Sequence, residues 1–439
     1  MRLPLIAIAL CAVSACAPTA QVSKNRPPAE AGVGFGVPGG LATVAAPAGA
    51  PSLARDFMDL TFAMESGRSL STFSRFEGPM TVALVGAVPP NAARDVSDLL
   101  GRLRSEAGID IRSTTGPASI TVEFTSRESL RRLAPQAACF VVPNVSSLAE
   151  YRRLRGSAAV DWARVTTRER AAIFIPADTS PQEVRDCLHE ELAQAIGPLN
   201  DLYRLSDSVF NDDNFHSILT SFDMQVLRLT YSPGIASGMT EAEVGARLFG
   251  TTAGARTGTP ANWTREIETA LGRKAPLPSR RAAADQALAI ALGSGWADSR
   301  TAFSWFAVGK LAAGSNPARA LDAFDQAAAI YSRLPGGEVH LAHVDMQLAA
   351  MALAGGLPDE AARIASRAEP AVKAHGNAAL LATLMLIKAE ALDRMGDSAG
   401  ATALRLDSEP WARYGFGPDS VVKARVRDIA AVADRAESG

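Results

Sequence analysis

The sequence predicts an α+β domain, a mixed sheet with helices, followed by an all-α domain of helical hairpins. Residues 55–250 alternate between strand-like and helix-like segments. Residues 279–439 are instead rich in Ala and Leu with helical periodicity and contain no credible strand. A chain of 439 residues, 47% of them apolar, is long enough to bury more than one core.

Residues 1–16 read MRLPLIAIALCAVSAC, with one positive charge, a short apolar run and small residues before a cysteine. This ending resembles the bacterial lipoprotein signal, in which the cysteine is acylated and becomes the new N-terminus. We therefore predict a signal peptide at 1–15 and a lipid anchor at Cys16. The protein would face the periplasm, at the outer rather than the inner membrane. An ordinary signal peptide cut nearby, or a buried N-terminal helix, is the alternative.

The segments between the predicted domains have few large apolar residues. Residues 16–54 are dominated by Ala, Pro and Gly, so we predict a flexible tether. A second linker is expected at 251–278, where prolines break the helical pattern. Lys and Arg number 44 against 46 Asp and Glu, a net charge of −2, so no nucleic-acid partner is expected.

The first domain is predicted to begin with strand, helix, strand, strand. Short β-branched runs at 80–85, 109–112 and 118–124 predict strands, and residues 91–107 carry an apolar stripe at helical spacing. A further strand is expected at 171–176. We expect the helix to pack across a mixed sheet.

A second helix is predicted from Pro181 to Ile196, directly after the last of these strands. Ser180 is the expected cap, and Gly197 followed by proline ends the helix. Glu191 lies on the apolar stripe of this helix, where burial would perturb its pKa.

The same helix contains the sequence CLHEELAQAIGPLND. Read from His189, it fails as an HExxH zinc motif because Ala193 replaces the second histidine. Shifted by one residue, EELAQAIGPLND resembles the longer metzincin motif HExxHxxGxxH(D). Glu191 then takes the place of the catalytic glutamate and Gly197 that of the turn glycine. The three histidine positions hold Glu190, Gln194 and Asn200.

The resemblance continues downstream. Residues 208–211 lie where metzincins have a Met-containing turn, and residues 219–231 resemble the closing helix of matrixin-like peptidases. Together these segments resemble a family of bacterial lipoproteins with a domain of unknown function related to zincins. The resemblance covers roughly residues 70–245 and implies a zincin-like fold. It also implies an edge strand at 171–176 bordering the cleft.

For the site, the resemblance implies two alternatives. If the protein is active, Glu191 is the general base, and the candidate metal ligands are Glu190, Gln194, Asn200 and His216. These side chains offer mainly hard oxygen ligands, so a divalent metal there would be calcium-like and weakly held, and no cofactor is expected. Alternatively, Glu190, Gln194 and Asn200 form a hydrogen-bonded polar cluster that holds the helix to the following loop.

Two cysteines remain once Cys11 is removed with the signal and Cys16 carries lipid. In an oxidising compartment Cys139 and Cys187 are most simply a disulfide. Two unrelated buried thiols are the alternative.

The helical domain has a weak internal repeat. Glycines at 314, 356 and 396 recur about 40 residues apart, and each precedes an Ala-rich helix. The small-residue spacing at 320–327 and 361–368 resembles the second helix of tetratricopeptide-like repeats. Either the array presents a concave surface to a partner, or it is a plain packed bundle.

Three functions are compatible with these observations. The preferred one is a non-catalytic protein-binding or scaffold protein that engages an envelope protein or peptide, by strand addition in the cleft and through the helical domain. The second is an atypical metal-dependent peptidase or hydrolase that uses Glu191. The third is a structural envelope protein whose cleft binds nothing.

Overall fold

The structure, a computed structural model, describes residues 51–135, 137–250, 260–272 and 274–433. The predicted signal peptide at 1–15, the lipidation site Cys16 and the predicted tether up to residue 50 lie outside the described residues. Among the helices it describes, none is long and apolar enough to cross a membrane.

A mixed five-stranded sheet forms the centre of the first region, in the described residues. Its strands are β1 (Met80–Gly86), β2 (Ile111–Ser113), β3 (Ile120–Thr125), β4 (Phe140–Pro143) and β5 (Ala171–Pro176). The order across the sheet is β2-β1-β3-β5-β4, and only the pairing of β4 with β5 is antiparallel. The predicted mixed sheet is confirmed.

Helices cover this sheet and supply much of its core. They are α1 (Pro51–Thr61), α2 (Ala92–Ala107), α3 (Arg127–Arg131), α4 (Leu148–Leu154), α5 (Pro181–Ile196), α6 (Ser221–Thr230) and α7 (Glu241–Phe249). On α2 the apolar stripe predicted from spacing is buried, including Val96, Leu99 and Leu103. Burying such side chains against the sheet is the main favourable contribution to the stability of this region.

The edge of the sheet differs from the prediction. We expected the strand at 171–176 to be an edge strand, and this was wrong, because β5 pairs with β3 on one side and β4 on the other. The edge strand on this side of the sheet is β4, and it lies in a segment where we predicted no strand. Its outer side faces two short 3₁₀ turns, Ala158–Val160 and Trp162–Arg164, and the Trp162 indole Nε1 donates to the carbonyl of Val141 at 3.5 Å.

A disulfide joins the edge strand to the following helix. Cys139, just before β4, is bonded to Cys187 on α5, with the two Cα atoms 6.0 Å apart. The predicted bridge is therefore present. It fixes α5 to the β4 side of the sheet.

The second region is all helical in its described residues. Its helices are α8 (Ala261–Leu271), α9 (Leu277–Gly293), α10 (Ser299–Ala312), α11 (Pro317–Tyr331), α12 (Gly337–Ala354), α13 (Pro358–Ala374), α14 (Ala378–Arg394), α15 (Ser398–Phe416) and α16 (Asp419–Ala433). From α8 to α15, each helix packs against the next along the chain. The recurring glycines 314, 356 and 396 lie inside successive hairpins, between α10 and α11, α12 and α13, and α14 and α15.

Small residues let the helices of a hairpin approach closely. Ala320 and Ala327 on α11 are fully buried, and a Cβ atom added at Gly309 on α10 would lie 2.8 Å from the Phe324 ring. The segment expected as a linker, 251–278, contains α8. Because Trp263 of that helix is fully buried and its indole donates to Ser304 Oγ at 3.0 Å, this part folds with the helical region.

The helical region packs directly on α5 and on the loop after it. Gln182 Nε2 donates to Asn377 Oδ1 at 3.1 Å, and Arg185 donates to the carbonyl of Gly376 at 2.9 Å. Further along, Ser206 Oγ donates to the carbonyl of Pro335 at 2.7 Å. Helix α5 is therefore held between the sheet and the helical region.

Candidate functional site

Helix α5 carries the motif, and local signals in the sequence define both of its ends. Ser180 Oγ accepts from the Glu183 N–H, and Pro181 occupies the first turn, where no hydrogen bond is lost. Gly197 follows the last residue. A Cβ atom there would lie 2.6 Å from Leu227 Cδ2 and 3.1 Å from the Ala193 carbonyl oxygen, so a larger residue would force the Leu227 side chain to move.

The C-terminal end of α5 is capped by a buried arginine. The Arg168 guanidinium donates to the carbonyls of Gln194, Ala195 and Gly197 at 2.7, 2.9 and 2.6 Å. A cation at this end of the helix also interacts favourably with the helix dipole. The last turn of α5, which bears the motif, is therefore fixed in place.

Five carboxylic side chains lie near one another beside this turn: Glu65, Glu190, Glu191, Asp201 and Asp212. We call them the acidic cluster. Glu191 is buried, Glu190 and Asp201 are half-buried, and Glu65 and Asp212 are exposed. The cluster therefore extends from the interior to solvent.

Burial and mutual repulsion raise the pKa values of the two helical members. Desolvation, followed by the charges of Glu65 and Asp212, raises the pKa of Glu190 to about 8. Desolvation, followed by the charges of Glu190 and Glu65, raises the pKa of Glu191 well above its usual range. Deprotonating Glu191 is therefore costly while no counter-charge lies beside it.

The two aspartates behave similarly. Desolvation first, and then Glu65, raises the pKa of Asp201 well above its usual range. For Asp212, desolvation followed by the charges of Glu65 and Glu268 raises the pKa to about 7. Glu268 lies on α8, so the repulsion extends from the first region to the helical one.

Two polar atoms of the cluster have no hydrogen-bond partner. Oε2 of Glu191 and Oδ1 of Asp201 are buried and unpaired. Glu191 as a whole is 4% exposed. An unpaired buried carboxyl oxygen is costly, and it indicates a place for a donor or a cation.

The other two motif positions make structural hydrogen bonds. Gln194 Nε2 donates to Glu65 Oε1 at 3.0 Å, and Asn200 Nδ2 donates to the backbone carbonyl of Asp59 at 2.9 Å. These bonds tie α5 to the segment after α1, at Glu65, and the following loop to α1 itself, at Asp59. The acceptors of Gln194 and Asn200 therefore lie at residues 59–65, and not within the helix and the following loop that the predicted polar cluster would join.

The motif positions do not fit the zinc site of the peptidases that they resemble. In the described ranges, no group of three or more His, Cys, Asp or Glu side chains could hold a metal ion. The amides of Gln194 and Asn200 point their donors at protein oxygens instead. A tight zinc site needs nitrogen or sulfur ligands, which positions 190, 194 and 200 lack.

The histidines that we considered lie elsewhere. His216 approaches the helical region, where its Nε2 is 3.1 Å from the Gly336 carbonyl and its ring lies beside His340 and His375. Burial and these two rings lower its pKa well below the usual range. His189 Nδ1 accepts from the Leu219 N–H at 3.1 Å. Neither histidine takes part in the acidic cluster.

A pocket of about 300 Å³ lies next to the acidic cluster and shares Asp212 with it. We call it the aromatic pocket, because Tyr203, Phe215, Phe303 and Phe306 line it. The remaining lining includes Glu268, Lys310 and His343. Both regions of the chain contribute to it, so it exists only where they meet.

The turn below α5 is held by α6. Asp223 accepts from Ser208 Oγ at 2.5 Å and from the Val209 N–H at 3.1 Å. It is fully buried, and desolvation raises its pKa to about 7. These contacts link the two downstream segments in which the resemblance was seen.

Sequence reasoning did not find all members of the site. No catalytic or binding role is predicted for Asp201 from the sequence, although it is the final position of the motif. Asp212 stands in an Asn-Asp-Asp-Asn run that could have signalled it. Glu65 has no local signal, because the bridge between Met64 and Leu199 brings it in from a distant part of the chain.

Residues 50–249 match the model of a family described as protein of unknown function (DUF2927). This agrees with the expectation of a domain of unknown function, and the description names no activity. No curated protein and no solved structure matches the chain significantly.

Proposed function

We propose that the protein is a lipid-anchored envelope protein that binds another envelope protein and does not catalyse a reaction. The lipid is on Cys16, and the folded part faces the periplasm, at the outer membrane. The first region is a degenerate zincin-like domain. In support, the mixed sheet is followed by α5, and α5 carries the motif with its turn glycine.

The observation that carries the proposal is the use of Gln194 and Asn200. Their amide groups hold α5 to the segment at 59–65 and leave no set of ligands at the three motif positions. A peptidase fold without its metal ligands keeps a cleft but loses the means to activate water. Binding is the role that such a cleft retains.

The route of binding differs from the one that the sequence suggested. Strand addition to residues 171–176 is excluded, because both sides of β5 are paired. The acidic cluster and the aromatic pocket are accessible from solvent at Glu65 and Asp212. We therefore assign partner binding to the junction of the two regions.

Site-specific photocrosslinking in living cells tests this proposal. A photoreactive residue at Ser66, which is exposed beside the acidic cluster, is expected to give one adduct with an envelope protein. The same residue at Leu292, 54% exposed on α9, serves as the control and should not give that adduct. Only monomer at both positions would argue strongly against a binding function.

A second candidate is an atypical metal-dependent hydrolase with Glu191 as general base. The buried, unpaired Oε2 atom and the raised pKa of Glu191 favour it, because perturbed carboxyl groups are frequent at active sites. Peptide cleavage by the purified protein, abolished by Glu191→Gln, would establish this alternative.

A further inference from the structure

We propose that the acidic cluster and the aromatic pocket together bind an arginine- or lysine-bearing segment of the partner protein. This inference rests on the proposed binding function and specifies the chemistry of the partner. The cationic head would lie at the acidic cluster, and the adjoining apolar part of the segment would occupy the aromatic pocket.

Among the residues that the structure describes, the acidic cluster has no cationic partner. In the part of the chain that the structure describes, no Lys or Arg forms an ion pair with Glu65, Glu190, Glu191, Asp201 or Asp212. Arg204 pairs with Asp56 at 2.6 Å and with Asp59 at 2.7 Å. Exposed acidic groups without a partner attract a cation from outside.

A second observation points to a ligand. Glu191 is more than nine-tenths buried, yet its Oε2 atom has no donor, and its electrostatic neighbours are the Glu190 and Glu65 carboxyl groups. An N–H group supplied by a partner would satisfy that oxygen. Leaving it unpaired is unfavourable, because a buried acceptor without a donor has lost its hydration.

The spread of the carboxyl groups favours an organic cation over a metal ion. A metal ion needs its ligand oxygens at about 2.0–2.6 Å from one point, and no described group of three acidic side chains converges in that way. A guanidinium carries five N–H donors in a planar fork and reaches oxygens that lie apart. An ammonium on a flexible stem does so less specifically.

The aromatic pocket suits the rest of the segment. Phe215 packs against the rings of Phe303 and Phe306 at 5.7 and 5.3 Å, and Asp212 lies on the border with the acidic cluster. Methylene stems of Arg and Lys pack on such rings, and the cation is attracted to ring faces. Lys310 also lines the pocket, beside His343. The acidic side chains of the lining that we expect to face the cation are Asp212 and Glu268.

Calorimetric titration of the full chain in detergent tests the inference. The probe is an acetylated, amidated peptide of alternating Ala and Arg, and the comparison peptide has citrulline, a neutral isostere, at each Arg. We expect the Arg peptide to bind at least about tenfold more tightly, which corresponds to about 1.4 kcal/mol. Added salt should weaken this preference.

A double variant, Glu190→Gln with Asp212→Asn, should weaken binding of the Arg peptide about tenfold. The control double variant, Glu128→Gln with Asp322→Asn, makes the same charge change at exposed positions and should bind as the wild type does. Thermal unfolding of each variant verifies that it folds.

Equal affinity for the Arg and citrulline peptides would overturn the inference, as would unchanged binding in the Glu190→Gln/Asp212→Asn variant. So would stoichiometric Ca²⁺ binding that the Arg peptide does not displace. If the in-cell adducts at Ser66 form equally in this double variant, the proposed binding function stands and the proposal of a basic partner segment is contradicted. If the wild type gives no such adduct at Ser66, the proposed binding function itself is contradicted.

Discussion

The Glu190 carboxyl lies half-buried among other acids, and this affects folding as well as binding. Its pKa of about 8 exceeds the ordinary value of 4.5 for glutamate. Between these two pH values the folded protein holds a proton that the unfolded chain releases. The free energy of unfolding therefore falls as pH rises through this window.

Replacing Glu190 by glutamine tests this effect. Glu190→Gln should raise the free energy of unfolding at pH 8 by roughly 1–3 kcal/mol and change it little at pH 4.5, because glutamine keeps the shape without the charge. Urea unfolding followed at several pH values measures this. Glu128→Gln, at an exposed position, is the control. A pH dependence identical to that of the wild type would contradict the account.

Arg168 is the residue whose loss should disturb the motif most without touching it. Arg168→Met removes three hydrogen bonds to the carbonyls at the end of α5 and leaves these groups buried without donors. We expect the free energy of unfolding to fall by about 3–5 kcal/mol. Arg132→Met, at an exposed position, should change it by less than about 0.5 kcal/mol.

Denaturant unfolding of both variants measures the loss of stability, and hydrogen exchange shows which part of the protein is destabilised. The amides of α5 should exchange faster in Arg168→Met than in the wild type. Equal stability of the two variants would mean that Arg168 does not support α5.

Among the elements, α5 and β4 are held together by the disulfide. The bridge closes a loop with a sequence separation of 48 residues. The chain-entropy estimate for a loop of this length is about 4 kcal/mol. The Cys139→Ser/Cys187→Ser variant should lose about that much stability, and the amides of β4 should lose protection from hydrogen exchange.

Reduction provides the matched control for this prediction. Dithiothreitol should lower the melting temperature of the wild type to that of the double serine variant and leave the variant unchanged. A wild type that is insensitive to reduction under unfolding conditions would contradict the structural role of the bridge.

Helix α5 could be predicted from sequence because its signals are local. Ser180, Pro181 and Gly197 each act within one turn of an end of the helix. The edge strand could not, because β4 has four residues and depends on pairing with β5, which comes some thirty residues later in the chain. With no strand predicted at 140–143, the sequence offers no partner for the outer side of β5, and the expectation of an edge strand there has nothing to correct it.

The candidate site divides in the same way. Glu190, Glu191 and Gln194 share one helix, so spacing alone places them together. Glu65 joins them only through contacts between distant segments of the chain. His216 lies away from them because it packs against the helical region. Local pattern finds residues on one element, and long-range packing decides which of them meet.

At the scale of the whole molecule, a buried polar pair joins the two regions in addition to the contacts at α5. Asp213 of the first region lies 3.0 Å from His340 Nε2 on α12, and both side chains are buried. His340 also contacts the ring of Phe215. Because such contacts require both regions to be folded, we expect them to unfold together.

Calorimetry of the wild type and of His340→Phe tests this coupling. The wild type should show one thermal transition. His340→Phe removes one hydrogen-bond partner of the buried Asp213, which keeps the donors of Asn211 and Phe215. The whole transition should therefore move to lower temperature, by an amount equivalent to about 1–3 kcal/mol. His340→Phe combined with Asp213→Leu should recover part of this loss. Two separate transitions, only one of which moves, would mean that the regions fold independently.

The central claim is that a peptidase-like cleft serves binding and not catalysis. Elemental analysis of the protein purified without chelators, together with a peptide-cleavage assay on the wild type and Glu191→Gln, tests it most directly. We predict less than stoichiometric metal and no cleavage that depends on Glu191. One metal ion per chain, with peptide cleavage abolished by Glu191→Gln, would contradict the account.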